Sequence, residues 1–318
     1  MERRHFLLSS AALLGGLASG HAASCEPRRL SAMIGDYPNT RALKRGTLAS
    51  DCLGFDFASV RAPADAFARV AALEFDVAEL SVVTFLIAKS LGIPLVLLPA
   101  VMFARLQHPF IVCDSSRGVL APKDLEGRRV GVAYYTTTTS TWLRGVLAED
   151  YGVDVTKIRW IARQGPHIAA FRDPPNVERV STDKSLVRML TDGDVDSIVI
   201  APVPVDPRFV SIIPDARGAG LAWHRRTNAI HLNHMVVVKQ ELSRTRPDLV
   251  RETYRLLAAA RAAGEPVTED GVDLIPYGLE ANRHNLEVAI ANIHRQGIIP
   301  RAFAVDELFD DVTASLTG

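Results

Sequence analysis

The sequence predicts an α/β protein of two domains whose sheets are mainly parallel. Short apolar segments alternate with helical patterns along the chain, as expected for successive strand–helix–strand units. The chain has 318 residues, a length that usually divides into about two domains. Hydrophobic residues make up 48% of it and charged residues 23%, so the composition indicates a packed core and excludes a disordered chain.

The strand predictions rest on short apolar runs bounded by turn residues. These runs span residues 30–34, 75–80, 95–101, 110–113, 158–162, 196–201 and 235–238, and residues 125–132 form a turn that leads into another strand.

The helix predictions rest on apolar residues repeated at helical spacing and on glycines that end the pattern. The helices span residues 63–73, 82–91, 139–151, 185–191, 247–263 and 282–296. Gly92, Gly152, Gly193 and Gly297 follow four of them, where a left-handed residue commonly ends a helix. Because the connecting loops are short, we expect each helix to pack on the sheet formed by its neighbouring strands.

The N-terminus has the three-part layout of a signal peptide. Residues 1–23 combine a basic start at Arg3 and Arg4, a short apolar run and a series of small residues. The run is too short to span a membrane, and the start resembles a twin-arginine export signal. A frayed amphipathic helix is the alternative. We therefore expect export to the periplasm, with cleavage near residues 22–24.

The cysteines leave two questions open. The sequence before Cys25 resembles a weak lipoprotein cleavage box, so a lipid anchor at Cys25 remains an alternative to simple cleavage. Cys52 and Cys113 would be able to pair in an oxidising compartment. Spacing alone does not establish such a bond, and free buried cysteines are the favoured interpretation.

The charge balance excludes one class of partner. The chain has 36 lysines and arginines against 36 aspartates and glutamates, and its isoelectric point is about 7.1. Nucleic-acid-binding proteins need a clustered basic surface. We therefore expect no nucleic-acid partner.

Three segments together resemble the type II periplasmic-binding-protein fold. Residues 124–132 (DLEGRRVGV) resemble the opening of the second domain of that fold. Residues 190–197 (LTDGDVDS) resemble its glycine turn into a strand, and residues 74–81 (EFDVAELS) resemble the equivalent segment of the first domain. Their order and spacing predict two lobes with mainly parallel sheets and a hinge between them.

Five further motifs carry a narrower resemblance, which covers nearly all of residues 30–310. They are GDY with TR at 35–41, FDVAELS at 75–81, YGV with IRW at 151–160, RRT at 225–227 and PYGLEANR at 276–283. Together they resemble the 4,5-dihydroxyphthalate decarboxylase family, which is similar to the aliphatic-sulfonate and thiamine-precursor binding proteins. The resemblance implies either a lyase or a solute receptor, and the export signal favours the receptor.

The resemblance also implies the domain boundaries. After the signal peptide, residues 28–122 plus 227–318 would form lobe 1, and residues 123–226 would form lobe 2. Two chain crossings would make the hinge, and the ligand cleft would lie between the lobes. In such folds the ligand contacts come from loops and helix N-termini at strand ends.

The strongest candidate for ligand contact is residues 134–144 (YYTTTTSTWLR), between a predicted strand and a helix. Hydroxyl groups and free backbone N–H groups at a helix start suit a carboxylate, sulfonate or phosphate, and the aromatic side chains suit a ring. The alternative is ordinary helix capping with the aromatic residues in the core. The predicted ligand residues here are Tyr135, Thr137, Thr138, Thr139, Trp142 and Arg144.

Lobe 1 supplies a matching loop. Tyr37, Thr40 and Arg41 follow its first strand and are predicted to face the cleft, although Arg41 is equally suited to solvent. Ser81 lies where a strand joins a helix, so it either caps the helix or binds the ligand. Arg105 and His108 precede another strand and face either the cleft or solvent.

The densest cationic cluster is residues 224–234, where Arg225 and Arg226 are predicted to bind an anion. Its three histidines suggest a metal. In a strand at 231–238, however, His231 and His234 would point to opposite faces. We therefore expect no metal and no cofactor.

These observations favour an exported solute-binding protein that captures a small organic anion, with aromatic carboxylates as the preferred class, for a membrane transporter permease. The alternative is a 4,5-dihydroxyphthalate decarboxylase, a lyase that releases carbon dioxide from a dihydroxylated aromatic dicarboxylate. Such an enzyme would need a general acid to protonate the ring carbon, for which His108 and His234 are the candidates.

Overall fold

The computed structural model describes residues 27–317, in which two β-sheets form the centres of two lobes. The predicted signal peptide, its twin-arginine start and Cys25 lie outside the described residues. Within residues 27–317, no helix combines the length and the apolarity that a membrane crossing requires.

The strands and helices alternate along most of the chain. The strands are β1 (Arg28–Met33), β2 (Leu53–Phe57), β3 (Val77–Ser81), β4 (Leu95–Ala104), β5 (Ile111–Asp114), β6 (Arg129–Val132), β7 (Arg159–Ala162), β8 (Val177–Arg179), β9 (Ser197–Val199), β10 (Phe209–Ser211), β11 (Leu232–Lys239), β12 (Thr268–Glu269) and β13 (Val272–Asp273). The helices are α1 (Arg41–Lys44), α2 (Phe67–Ala71), α3 (Val82–Ser90), α4 (Thr138–Tyr151), α5 (Leu186–Asp192), α6 (Ala216–Thr227), α7 (Gln240–Thr245), α8 (Pro247–Ala263), α9 (Leu279–Arg295) and α10 (Asp311–Ala314).

The first sheet has the strand order β2-β1-β3-β11-β4. β1 pairs in parallel with both β2 and β3, whereas β11 runs antiparallel to both β3 and β4. Four of its five strands therefore share one direction. β3 and β4 are buried along nearly their whole length, as continuous apolar strands covered on both faces are.

The second sheet has the order β10-β5-β9-β6-β7-β8. β6, β7, β8 and β9 are parallel, and β5 runs antiparallel to both β9 and β10. In each sheet the reversed strand is thus the first strand after the chain crosses from the other lobe. This topology confirms the predicted class of two lobes with mainly parallel sheets.

The structure differs from the sequence prediction at several elements. β5 belongs to the second sheet, so the first crossing precedes residue 111, about a dozen residues before the predicted boundary at 122/123. The predicted helix at 63–73 consists of a 3₁₀ turn, Pro63–Ala66, followed by α2. β2, β8, β10 and α6 were not predicted, because three are short strands at or next to sheet edges and α6 is rich in glycine and arginine.

The sequence favoured free buried cysteines at both Cys52 and Cys113, and this holds at one of the two. Cys113 on β5 is buried and carries a free thiol, as predicted. The prediction was wrong for Cys52, which is disulfide-bonded. Because Cys113 is free, these two residues do not pair with each other.

Candidate functional site

A cavity of about 420 Å³ lies between the two lobes. Its lining begins where the parallel strands end: Ser81 closes β3, Arg105 follows β4, and Ala133 follows β6. The reversed strand β11 contributes its opposite end, at Asn233 and His234. The carboxyl ends of parallel strands are the usual place for a ligand in α/β folds, so the topology itself places a candidate site here.

One wall of the cavity is aromatic. The Tyr37 ring stacks on Phe103 with a centroid distance of 5.8 Å and an interplanar angle of 3°. Phe67 meets the His234 ring edge-on at 5.1 Å and the His167 ring at 5.3 Å. These flat, largely apolar surfaces suit a planar ring better than a flexible polar chain.

The opposite wall is the start of α4. Thr137 is the N-cap residue, and its hydroxyl accepts a hydrogen bond from the Ser140 amide. Thr138 and Thr139 open the first turn, whose backbone N–H groups have no partner within the helix. The Thr138 hydroxyl is also buried without a hydrogen-bond partner among the described residues. The cavity therefore meets the positive end of a 14-residue helix, where first-turn backbone N–H groups and the Thr138 hydroxyl are available to donate hydrogen bonds to a ligand.

Arg105 adds a full positive charge beside this helix end. Its Nη2 donates to the Thr139 hydroxyl at 3.1 Å, and the guanidinium lies 4.2 Å from the Phe110 ring centroid. Within residues 27–317 it forms no ion pair, and its Nε is buried without a partner. Burial lowers the pKa of Arg105 to about 10. A bound anion would supply the countercharge that the surrounding residues do not.

A buried carboxylate organises the third side of the cavity. Glu79 is fully buried on β3 and accepts hydrogen bonds from the Gly35 amide at 2.8 Å and the Tyr37 hydroxyl at 2.6 Å. His234 Nδ1 lies 2.5 Å from the same carboxylate. Burial and the neighbouring Glu79 raise the pKa of Tyr37, which keeps its phenol protonated.

This arrangement fixes the tautomer of His234. An ionised carboxylate only accepts hydrogen bonds, so Nδ1 of His234 is the donor to Glu79. Nε2 makes no hydrogen bond to the described residues, and the side chain lines the cavity. Nε2 is therefore the imidazole atom that remains to accept a proton from a ligand or to donate one to it.

An irregularity in β11 explains why two neighbouring residues face the same cavity. The pairing of β11 with β4 shifts register between Leu232 and His234, as at a β-bulge, so strict alternation of faces fails there. Both Asn233 and His234 consequently line the cavity. The Gln107 amide group donates to Asn233 Oδ1 at 2.6 Å, which leaves the Asn233 NH₂ as a further donor.

Some residues predicted from the sequence lie on the cavity wall and others do not. Those on the wall are Tyr37, Ser81, Arg105, Thr137, Thr138, Thr139 and His234, and their role in binding stays a prediction. Ser81 also caps α3 through its hydrogen bond from the Thr84 amide. The sequence did not single out Phe67, Phe103, His167 or Asn233. Phe67 begins α2, Phe103 lies near the end of β4 and Asn233 near the start of β11, whereas His167 lies in the loop between β7 and β8 and shares no such signal.

The predicted residues on the inner face of α4 require a correction. The Trp142 indole donates to the Leu232 carbonyl at 2.9 Å, which joins α4 to β11. Arg144 is buried, donates to the Tyr135 carbonyl and to Gln296, and stacks on the Tyr135 ring. Trp142, Arg144 and Tyr135 thus hold α4 in place and do not line the cavity, because the helix turns them toward the core.

The remaining candidates also lie away from the cavity. The Thr40 hydroxyl closes the loop after β1 by donating to the Gly35 carbonyl and accepting from the Tyr37 amide. Arg41 is half-exposed and lies 3.8 Å from Asp36.

Arg225, Arg226 and His108 were also predicted to contact a ligand, and they too lie outside the cavity. Arg225 is exposed on α6, and Arg226 pairs with Asp150 on the surface. His108 is buried between the lobes and does not reach the cavity, where His234 alone of the two candidate acids lies. His231 precedes β11 and packs against Trp142 and Trp223, whereas His234 lines the cavity. No three metal-ligating side chains cluster within the described residues.

Comparisons with known proteins find similar sequences. Residues 53–173 match the family described as NMT1/THI5 like. A 4,5-dihydroxyphthalate decarboxylase from Comamonas testosteroni is 25% identical over 323 residues, which cover 88% of this chain and 96% of the relative. One from Pseudomonas putida is 25% identical over 210 residues, covering 62% of this chain and 81% of the relative.

Solved structures show the fold. The alkanesulfonate-binding protein SsuA from Xanthomonas axonopodis pv. citri bound to MOPS superposes with a TM-score of 0.55 at 12% identity, covering 90% of this chain and 99% of that one. The periplasmic aliphatic sulphonate binding protein SsuA from Escherichia coli gives 0.53 at 11% identity, with 90% and 93% covered. The chain is therefore similar to two 4,5-dihydroxyphthalate decarboxylases, and it has the type II periplasmic-binding-protein fold.

Proposed function

We propose that the protein is an exported solute-binding protein whose cavity holds a small aromatic carboxylate. The observation that carries the proposal is Arg105, a partly buried cation whose Nε is buried and which has no ion-pair partner in residues 27–317. The unpartnered Thr138 hydroxyl and the first turn of α4 lie on the same cavity wall. A ligand carboxylate placed there gains charge-assisted hydrogen bonds from all three sources.

The ring would lie along the aromatic wall. Stacking between Tyr37 and Phe103 already defines a flat surface, and Phe67 closes the cavity on another side. Substituents on the ring would then meet the polar side formed by His234 and Asn233.

The proposal also implies where the protein acts and which partner it has. The structural relatives are described as periplasmic sulfonate-binding proteins, and a receptor of this kind delivers its solute to a transporter permease. The predicted signal peptide at residues 1–23 supports export. We propose the periplasm as its place of action.

Calorimetry with the mature protein tests the proposal directly. We expect saturable binding of benzoate or phthalate and at least tenfold weaker binding of benzamide, which keeps the ring and lacks the charge. Equal affinity for benzoate and benzamide, or binding of alkanesulfonates alone, would overturn the assignment of an aromatic carboxylate.

The second candidate function is decarboxylation, which the His234–Glu79 pair favours. Nε2 of a protonated His234 would give its proton to the ring carbon that bears the carboxylate. The bond from that carbon to the carboxylate would then break, its electron pair would return to the ring, and carbon dioxide would leave. Both curated relatives carry the name of this activity.

The two candidates separate in one experiment. The ultraviolet spectrum of 4,5-dihydroxyphthalate is followed with the protein while binding heat is recorded. Release of carbon dioxide by the intact protein, lost in His234→Gln, would establish the lyase. Saturable heat with an unchanged spectrum would establish binding without turnover.

A further inference from the structure

Two histidines lie stacked where the chain passes between the lobes. His108 is in the first crossing, after β4, and His231 is in the second, immediately before β11. Their ring centroids are 5.5 Å apart with an interplanar angle of 27°. Both residues are 0% exposed, so this pair forms a dry contact between the two connections.

The pair is poorly supplied with hydrogen bonds. Both ring nitrogens of His108 and Nε2 of His231 are buried without a partner among the described residues. His231 Nδ1 accepts the Gln107 backbone N–H at 3.1 Å, so the neutral ring carries its proton on Nε2. Buried polar atoms without partners are uncommon in native proteins and call for a reason.

The charged groups around the pair offer no direct countercharge. Asp150 on α4 raises the pKa of His108 and Arg226 on α6 lowers it, both through long-range electrostatics. These two residues also form an ion pair with each other. His224 on α6 acts on His231 and disfavours its protonation. A proton added to either ring would therefore create a buried charge without a carboxylate in contact.

We propose that His108 and His231 form an acid-sensitive latch, which holds the lobes together while neutral and opens the cleft when protonated. The His231 ring is packed between the indole of Trp142 on α4 and that of Trp223 on α6, with ring-centroid distances of 4.6 Å and 3.9 Å. Rotation of the lobes about the crossings draws these helices away from β11 and admits water to the imidazoles. The proposal concerns the ligand-free protein and does not depend on the identity of the ligand.

The direction of the effect follows from linkage. Burial lowers the pKa of His108 to about 4, and it lowers the pKa of His231 as well. In an open state with water around the ring, His108 would regain its ordinary pKa of about 6.5. The open state then binds more protons, so the closed state loses stability as the pH falls from about 6.5 towards 4. At about pH 5, His108 alone shifts the equilibrium about 30-fold towards the open state.

Distance measurements across the cleft test the latch. Spin labels at Arg61→Cys and Val205→Cys occupy exposed positions in the two lobes, one residue before Ala62 and four residues after Ala201 of the cavity lining, whereas Cys113 is buried. We expect one short distance at about pH 7.5 and a growing longer population at about pH 5, with circular dichroism unchanged. His108→Phe keeps the stacking and removes no hydrogen bond. In this variant the ratio of open to closed protein at about pH 5 should be about 30-fold smaller than in the wild type.

A control and a second readout keep the test decisive. His294→Gln removes an exposed histidine and should leave the pH profile unchanged. In the unlabelled wild-type protein, the fluorescence of Trp142 and Trp223 should change over the same pH range as the distance, because both rings contact His231. A distance distribution that stays constant between these pH values, or an opening of undiminished size in His108→Phe, would overturn the proposal.

Discussion

Replacing Arg105 with methionine should weaken anion binding strongly without weakening the fold. Methionine keeps an unbranched side chain of similar length against Phe110 and removes the charge. A charge-assisted hydrogen bond contributes about 2–3 kcal/mol, so Arg105→Met should weaken the binding of benzoate about 30- to 150-fold.

The same substitution, Arg105→Met, should not lower the free energy of unfolding of the ligand-free protein. Burial lowers the pKa of Arg105 from 12.5 to about 10, so holding the charge in this site costs on the order of 3 kcal/mol. Loss of the contact with Phe110 and of the hydrogen bond to Thr139 offsets about 2 kcal/mol of that gain. We therefore expect the free energy of unfolding to rise by about 1 kcal/mol or to stay level.

Calorimetry and urea unfolding of the same samples provide both quantities. Arg41→Met is the matched control, because Arg41 is a half-exposed arginine outside the cavity and should change neither value. An affinity within twofold of wild type in Arg105→Met, together with a lower free energy of unfolding, would mean that Arg105 is a structural residue and would refute the assignment.

Three further predictions concern neighbouring groups. Thr138→Val should weaken benzoate binding about tenfold with little change in the thermal midpoint, because the hydroxyl has no partner in residues 27–317. Trp142→Phe should lower the free energy of unfolding by about 1–3 kcal/mol in urea, because the Leu232 carbonyl loses its donor. Burial lowers the pKa of His167 to about 4; the unfolded chain binds this proton first, so the free energy of unfolding should fall from about pH 6.5 towards pH 4. His167→Phe should flatten that decline in a series of urea titrations.

The fold was predictable because its longest signals are local. The continuous apolar strand β4 and the periodic helix α8 both lie within a few residues of their predicted bounds. β8 and β10 have only three residues each, at the two edges of the second sheet, and so leave little pattern to detect. The first crossing was misplaced because β5 resembles the buried strands of lobe 1 and reveals its sheet only through its pairing with β9 and β10.

The site was predictable only in part. The threonines at the start of α4 were identified because helix capping and anion binding draw on the same backbone groups. Arginines were harder to assign, since Arg105 and Arg144 are equally basic in the sequence. Arg144 finds its hydrogen-bond acceptors in the distant Gln296 and the Tyr135 carbonyl, whereas Arg105 lacks a carboxylate among the described residues. That difference arises from three-dimensional packing, as does the register shift that exposes Asn233 to the cavity.

The strand order of the first sheet has a consequence for synthesis. Among the described strands, β4 pairs within its sheet only with β11, which is made well over a hundred residues later. Until Leu232–Lys239 leaves the ribosome, the ten-residue apolar segment Leu95–Ala104 has neither edge covered by a neighbouring strand. Such an edge readily recruits other chains, and long-range pairing is slow. The newly made chain therefore passes through a prolonged interval in which this segment is open to pairing with other chains.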